Sequence, residues 1–175
     1  MSSSTEREFS FCKKGRGVKA YSGFVNLPPA PGLTYNQSIF FWYFKSEKDT
    51  ANIPTTIYLP GGPGTSFLDS FSGFPCIVNA DSNSTTPNPW SWNNEVNMLY
   101  IDQPVQTGYS NTDAQDGLMN LITQEFTPGA SLDGIEGNAT ALPGRLSSQN
   151  PADTANKTAQ AVQSLWRFAQ AWLQE

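Results

Sequence analysis

A short apolar strand that opens directly into a glycine-rich loop constrains this chain more than any other feature. Residues 57–64 read Ile-Tyr-Leu-Pro-Gly-Gly-Pro-Gly, so a run with β-strand character ends in three glycines and two prolines. Glycines just past a strand end let the backbone approach a ligand and present its N–H groups, which suits a developing oxyanion. Gly-Gly-Pro-Gly taken alone is more often a tight surface turn. Its position after a strand that we expect to be buried favours an oxyanion loop, so we expect the amides of Gly61 and Gly62 to point into a cleft at the mouth of a buried sheet.

The chain contains no histidine. A serine hydroxyl becomes a nucleophile only when a neighbouring base takes its proton, and histidine is that base in a Ser-His-Asp triad. Ser66, Ser91 and Ser110 therefore have no mechanism of activation within this chain. The sequence supplies groups that stabilise charge and lacks the groups that attack.

The overall composition indicates one folded domain and excludes two classes of partner. Hydrophobic residues make up 38% of the 175 residues and charged residues 14%, which is typical of a chain with a buried core. The net charge of −5 disfavours nucleic acid and anionic membrane surfaces. No apolar run approaches the roughly 20 residues that span a bilayer, and residues 1–15 lack the apolar core of a signal peptide.

Four asparagine sequons suggest a glycoprotein that passes through the secretory route. They begin at Asn36, Asn83, Asn138 and Asn156. Some sequons arise by chance in a chain rich in Asn, Ser and Thr, and four together favour secretion.

The two cysteines, Cys12 and Cys76, leave three alternatives open. They could form one internal disulfide, each could pair with a thiol outside this chain, or both could be buried free thiols.

The apolar runs predict four strands of one sheet. Val18–Val25 and Ile39–Phe44 read as an antiparallel pair, and Thr55–Leu59 and Val96–Ile101 as two further strands. Residues 39–44 are apolar at every position, as expected of a strand covered on both faces.

The connections between these strands carry weaker patterns. Phe67–Phe74 predicts a short helix, and Asp81–Asn94 a loop. Trp90 and Trp92 in this loop could form a carbohydrate-stacking surface, but we expect them to pack into the core. Residues 113–150 show little periodicity and many glycines and prolines, so we expect an irregular insertion there.

The last segment predicts an amphipathic helix. Asn150 is a plausible N-cap, followed by Pro151 at the first helical position. The predicted apolar stripe consists of residues spaced by three and four: Ala155, Ala159, Val162, Trp166, Ala169 and Leu173, widened by Leu165, Phe168 and Trp172. Lys157, Gln160, Gln163, Arg167, Gln170 and Gln174 form the predicted polar face.

These elements together predict an α/β fold. Strand, strand, strand with a glycine loop, strand and helix is the order of the first half of an α/β-hydrolase. We therefore predict the N-terminal half of a mixed, mostly parallel sheet with flanking helices, within a single domain over residues 1–175. The strand that carries the nucleophile would come after residue 175.

Five motifs in series give the sequence a family resemblance. In chain order they are Tyr-Ser-Gly-Phe at 21–24, Phe-Phe-Trp-Tyr-Phe at 40–44, Gly-Gly-Pro-Gly at 61–64, Asn-Pro-Trp-Ser-Trp-Asn at 88–93, and Asp-Gln-Pro at 102–104 with Gly-Tyr-Ser at 108–110. Over residues 12–112, and more loosely in the final helix, the chain resembles the serine carboxypeptidases, closest to secreted fungal members. The resemblance implies a secreted or vacuolar enzyme that acts on a peptide substrate without a metal or organic cofactor.

The resemblance also implies roles for residues of the glycine loop. The amide of Gly62 would bind the oxyanion, and that of Gly61 the terminal carboxylate of the substrate. Tyr58 and Pro60 stand where the family usually has Trp and Asn beside that carboxylate, and proline removes a side-chain hydrogen bond. Near residues 71–74 the family often has a Glu that is absent here. Asp102 would be structural and line the floor of the site.

The catalytic Ser, Asp and His of the family all lie beyond residue 175, so we expect a fragment that lacks the C-terminal half of its domain and is inactive alone. The predicted function is that of a serine-type carboxypeptidase. The alternatives are an acyltransferase or esterase on the same scaffold, or a non-catalytic secreted binding protein.

Overall fold

A twisted five-stranded sheet forms the centre of the molecule. The computed structural model describes residues 3–9 (backbone only), 19–48, 52–69, 73–129, 137 and 139–174. The sheet contains β1 (Ser3–Phe9), β2 (Ala20–Leu27), β3 (Gln37–Phe44), β4 (Thr55–Tyr58) and β7 (Asn97–Ile101), in the spatial order β1-β2-β3-β7-β4. The predicted antiparallel pair β2–β3 and the two further strands are therefore confirmed.

The described part of the sheet is mixed, and the prediction of a mostly parallel sheet is wrong for it. Only β4 and β7 run parallel, with Ile57 opposite Leu99. The pairs β1–β2, β2–β3 and β3–β7 are antiparallel. Short connections such as the proline-rich loop between β2 and β3 permit antiparallel pairing, whereas a parallel neighbour needs a long crossover.

Both faces of the sheet are covered at β3, as the apolar run at 39–44 predicted, whereas β4 is largely exposed. Ile39 and Phe41 point to one face, where they meet Phe168 of α1 (Thr158–Trp172). Phe44 points to the other face, where it packs with Phe67 and other residues of the loops that connect the strands. Because side chains alternate along a strand, an all-apolar strand is stable only between two such layers.

Helix α1 begins later than the sequence predicted. Asn150 does act as a cap, since its side chain accepts a hydrogen bond from the amide of Ala152, but it caps a separate 3₁₀ turn at Pro151–Asp153. The α-helix starts at Thr158.

The face that α1 buries also differs from the predicted stripe. Ala161, Ser164 and Phe168 are buried, whereas Val162 and Trp166 are 58% and 64% exposed. The predicted polar face is only partly solvated. Lys157, Gln170 and Gln174 are exposed, whereas the side chains of Gln160, Gln163 and Arg167 donate hydrogen bonds to the carbonyls of Gly32, Pro31 and Pro28. These hydrogen bonds satisfy the carbonyls of the proline-rich loop. They hold this face of α1 against the loop.

The segment predicted to be irregular contains a second, three-stranded antiparallel sheet. It consists of β8 (Gln115–Asn120), β9 (Phe126–Pro128) and β10 (Ala141–Leu146), in the order β10-β8-β9. Gly117 breaks the apolar alternation of β8 because a Cβ there would lie 2.6 Å from the Phe126 ring. Close packing therefore requires glycine at position 117. The same glycine interrupts the apolar pattern by which the strand would be recognised in the sequence.

The remaining elements are short. Phe67–Asp69 is a 3₁₀ turn at the start of the predicted short helix. The predicted loop at 81–94 contains β6 (Thr85–Pro87), which pairs with β5 (Cys76–Val78), and a 3₁₀ turn at Trp92–Asn94. In the described part of the chain, no helix has both the length and the apolar character needed to cross a membrane.

We expect two aromatic residues on the same helix to differ sharply in their contribution to stability. Phe168 is 0% exposed against Phe41, so Phe168→Ala should lower the free energy of unfolding by about 3–5 kcal/mol. Trp166 is exposed, so Trp166→Ala should change the free energy of unfolding by less than about 0.5 kcal/mol. Urea unfolding followed by circular dichroism measures both; similar losses would contradict the observed orientation of α1.

Candidate functional site

The glycine loop leaves the sheet at the carboxyl end of β4. Pro60 is buried, and Gly61–Gly64 are exposed. Gly62 and Gly64 have φ values of 57° and 113°, in the left-handed region that L side chains rarely adopt. A Cβ built on Gly61 or Gly62 would meet no described atom within 4 Å. The loop therefore stands open at the edge of the sheet.

The amides of Gly61, Gly62 and Gly64 differ in their hydrogen bonding. The Gly64 N–H donates to the carbonyl of Gln103 at 3.2 Å. The N–H groups of Gly61 and Gly62 make no hydrogen bond to any residue that the structure describes. The described residues do not enclose these two amides in the predicted cleft, so their roles toward an oxyanion and a carboxylate stay predictions.

Tyr58, which precedes the loop, is held in an aromatic cluster. Its ring centroid lies 5.3 Å from that of Trp92 and 5.5 Å from that of Tyr100. The Trp92 ring covers Gly73 so closely that a Cβ at Gly73 would lie 2.1 Å from it. These contacts fix the orientation of the half-buried Tyr58 ring beside the loop. Trp90 is 84% exposed, so the prediction that it packs into the core is wrong, because the Asn88–Ser91 turn presents it outward.

Asp102 connects the glycine loop to the end of β7. Its carboxylate is fully buried and accepts three hydrogen bonds. Oδ1 accepts from the hydroxyl of Ser66 at 2.9 Å and the amide of Phe67 at 3.0 Å, and Oδ2 accepts from the amide of Tyr109 at 2.9 Å. Because Ser66 and Phe67 follow the loop directly, Asp102 fixes the loop to the strand end. This arrangement agrees with the structural role that the sequence analysis gave to Asp102.

Gly108 completes this contact by leaving room for the carboxylate. It has a φ of 54°, and a Cβ there would lie 2.1 Å from Asp102 Oδ2 and 2.7 Å from Ser66 Oγ. The sequence analysis did not assign this role to Gly108. The available signal was the spacing of Asp102 and the Gly-Tyr-Ser run, which shows only that both follow the same strand.

The surroundings of Asp102 act on its pKa in opposite directions. Burial raises the pKa of the Asp102 carboxyl above its ordinary value, the hydrogen bonds from Tyr109, Ser66 and Phe67 oppose that rise, and the charge of Asp69 adds to it. Burial has the largest effect, so the net shift is upward.

The three serines that could suggest a nucleophile have structural partners. Ser66 donates to Asp102 Oδ1, Ser110 donates to the Asp102 carbonyl at 2.6 Å, and Ser91 bonds to the Gly73 carbonyl at 3.0 Å. With no histidine in the sequence, no hydroxyl has an imidazole base beside it.

The predicted modification sites lie in different surroundings. Asn83 and Asn156 are exposed, Asn83 in the turn between β5 and β6. Asn36 is also exposed, but its side-chain amide donates to Asp113 Oδ1 at 3.2 Å. Asn138 lies outside the described residues, and no modification is tested by these contacts. Cys76 is disulfide-bonded, which excludes a free thiol there, and Cys12 lies outside the described residues.

Comparison with known proteins identifies relatives over nearly the whole chain. The family described as serine carboxypeptidase matches residues 12–175. Carboxypeptidase S1 homolog A of Arthroderma otae is 47% identical over 98% of this chain, which covers 28% of that protein. Carboxypeptidase S1 homolog A of Trichophyton rubrum is 43% identical over 98% of the chain, or 28% of the relative. A carboxypeptidase Y homolog of Arthroderma benhamiae is 39% identical over 90% of the chain, or 26% of the relative.

We expect Gly108→Ala to destabilise the chain by about 3 kcal/mol or more, because it adds a clash with Asp102 to an unfavourable φ. Gly129→Ala is the matched control, since Gly129 has a φ of 69° and a Cβ there would meet no described atom within 4 Å. The free energy of unfolding of that variant should fall by only about 1 kcal/mol, which is the cost of placing alanine at a positive φ. Urea unfolding of both measures the difference, and equal losses would show that the Asp102 contact contributes nothing.

The raised pKa of Asp102 gives the stability of the chain a definite pH dependence. The folded state binds the proton more tightly, so this contribution is fully present below the ordinary carboxyl pKa of about 4 and is lost as the pH rises through the raised value. The free energy of unfolding of the wild-type chain minus that of Asp102→Asn should therefore fall between roughly pH 3 and pH 7. Urea unfolding across this range tests the sign, and a difference that grows with pH would contradict it.

Proposed function

Because the chain belongs to the serine carboxypeptidase family, we propose that it supplies the charge-stabilising side of an enzyme that removes the last residue of a peptide. The chain spans about 28% of the length of the curated relatives that it matches most fully, so the activity is proposed for the longer protein. The observation that carries the proposal is a pair of amides that bond to no described residue, at the carboxyl end of a sheet strand and in a loop fixed by a buried carboxylate.

The proposed fold is the first part of an α/β-hydrolase. Two features support it beyond family membership: β4 and β7 are parallel, and the glycine loop follows β4 directly. In that fold the loop after the third strand supplies oxyanion donors, and the nucleophile lies on a later strand-to-helix turn.

In the proposed reaction, a serine of the longer protein attacks the carbonyl carbon of the last peptide bond while a histidine accepts the hydroxyl proton. The carbonyl oxygen gains negative charge, and the Gly62 amide donates to it. The Gly61 amide donates to the terminal carboxylate of the substrate. Tyr58 forms one side of this position, and Pro60 fixes the start of the loop.

Pro60 also favours a second candidate function. A proline has no side-chain donor, so it cannot hold a terminal carboxylate as an asparagine would. An ester hydrolase or acyltransferase needs the oxyanion amide and not the carboxylate contact, and this chain retains the amide. A non-catalytic secreted binding protein is the third candidate, favoured by the absence of histidine from these 175 residues.

We propose a secreted or vacuolar location for the protein. The disulfide-bonded Cys76 supports an oxidising compartment, and the exposed sequons at Asn83 and Asn156 support passage through the secretory route.

A chimera tests the proposed function. Residues 12–175 replace the matching segment of Carboxypeptidase S1 homolog A from Arthroderma otae, and hydrolysis of a blocked dipeptide with a free terminal carboxylate is measured. We expect hydrolysis by the chimera and none by the 175-residue chain alone. In the chimera, Gly62→Ala should lower kcat by about 10²-fold or more by displacing the oxyanion donor.

Gly129→Ala in the chimera is the control, because it places alanine at a similar φ of 69° away from the loop. Its kcat should be unchanged. A folded chimera that cleaves a blocked ester but not the dipeptide would favour the esterase or acyltransferase. A folded chimera without either activity would favour the binding protein.

A further inference from the structure

A polar groove that contains Arg145, a cation with no ion pair to any described residue, lies between the main sheet and the three-stranded sheet. It has a volume of about 610 Å³, and its walls come from the start of β3, the 106–114 turn and the end of β10. The side chains that matter here are those of Asn36, Tyr109, Asp113 and Arg145. We call it the Arg145 groove.

The groove lies on the same edge of the main sheet as the glycine loop. β4 and β7 are parallel, so both end at this edge. β3 is antiparallel to β7, with Phe41 opposite Ile101, so β3 begins there. Neighbouring strands are about 4.8 Å apart, so β3 and β4 are roughly 10 Å apart across the sheet. Tyr58 at the end of β4 is level with Tyr100 and Trp42, so Gln37 at the start of β3 lies roughly 17 Å further along the strands and roughly 19 Å from the end of β4.

Direct contacts connect the groove to the base of the loop. Gly108 and Tyr109 line the groove, and the Tyr109 amide donates to the same Asp102 carboxylate that binds Ser66 and Phe67. The two sites are therefore parts of one hydrogen-bonded unit.

The groove is equipped to bind a carboxylate. Arg145 is exposed and donates through Nη2 to the Ala114 carbonyl at 3.2 Å, and it pairs with no carboxylate among the described residues. Asp113 also lines the groove, and its carboxylate accepts from Asn36. Tyr109 is 58% exposed and offers a ring face, with its other contact to Phe40. Arg145 and Tyr109 line the same groove, so an exposed guanidinium and an open ring are both available to an acidic side chain on an extended peptide.

We propose that the Arg145 groove binds the part of a peptide substrate upstream of the scissile bond and that Arg145 favours an acidic side chain there. This proposal rests on the proposed peptidase function. An extended peptide advances about 3.3 Å per residue, so roughly six residues cover the 19 Å between the end of β4 and the start of β3. A blocked dipeptide is too short to reach Arg145.

The proposal has a consequence for the sequon at Asn36. A glycan on Asn36 would start inside the groove and fill it. Asn36 is therefore unmodified in the active protein, whereas the sequons at Asn83 and Asn156 lie outside the groove lining.

The test uses the chimera described above and two sets of substrates. One is the blocked dipeptide, and the other is a series of blocked octapeptides with Glu or Gln at each position two to seven residues before the scissile bond. At low salt we expect kcat/KM to be about two- to fivefold higher for Glu than for Gln at one of these positions. Arg145→Gln should abolish that preference and leave dipeptide hydrolysis unchanged. Lys157→Gln, which removes the same charge outside the groove lining, should keep the preference.

The outcomes separate this proposal from the proposed function. A chimera without dipeptide hydrolysis would overturn the peptidase function itself. A chimera that cleaves the dipeptide but shows no Glu preference, or keeps that preference in Arg145→Gln, would overturn the groove alone. A glycan found on Asn36 of the active protein by peptide mapping would overturn it as well.

Discussion

The buried carboxylate of Asp102 is the interaction on which the candidate site depends. Its two oxygens accept from Ser66 and Phe67 on one side and from Tyr109 on the other, so one side chain joins the glycine loop to the next loop along the sheet edge. A buried carboxylate is costly unless its oxygens are hydrogen-bonded, and here three donors compensate. The position of the Gly61 and Gly62 amides therefore depends on a residue that is not expected to touch substrate.

The same sheet edge organises the rest of the proposed chemistry. Because β4 and β7 end there and β3 begins there, three separate loops meet within the width of three strands. The glycine loop provides amides for developing charge, and the groove beside Tyr109 provides a cation and an exposed ring. Ligands in α/β proteins commonly bind at such an edge, since it is where strand ends place several loops side by side.

Much of the main sheet could be predicted from sequence, because β2, β3 and β7 are apolar runs whose burial follows directly from composition. The second sheet could not, because Gly117 is required by packing against Phe126 and hides the strand pattern. The orientation of α1 was also missed. Its glutamines bond to carbonyls of the proline-rich loop, and a hydrophobic pattern contains no information about such backbone acceptors. At the site, the loop was identified by its glycines, whereas the need for Gly108 arises only once Asp102 is folded against it.

Gly73 and Trp92 form a pair whose identities cannot vary independently. The indole ring occupies the space that any side chain at residue 73 would need, and the Gly73 carbonyl accepts hydrogen bonds from the Trp92 amide and the Tyr100 hydroxyl. Gly73 also has a φ of 76°, so a larger residue at position 73 would be strained even beside a smaller residue 92. Across related sequences, position 73 should therefore stay glycine wherever position 92 carries a large ring.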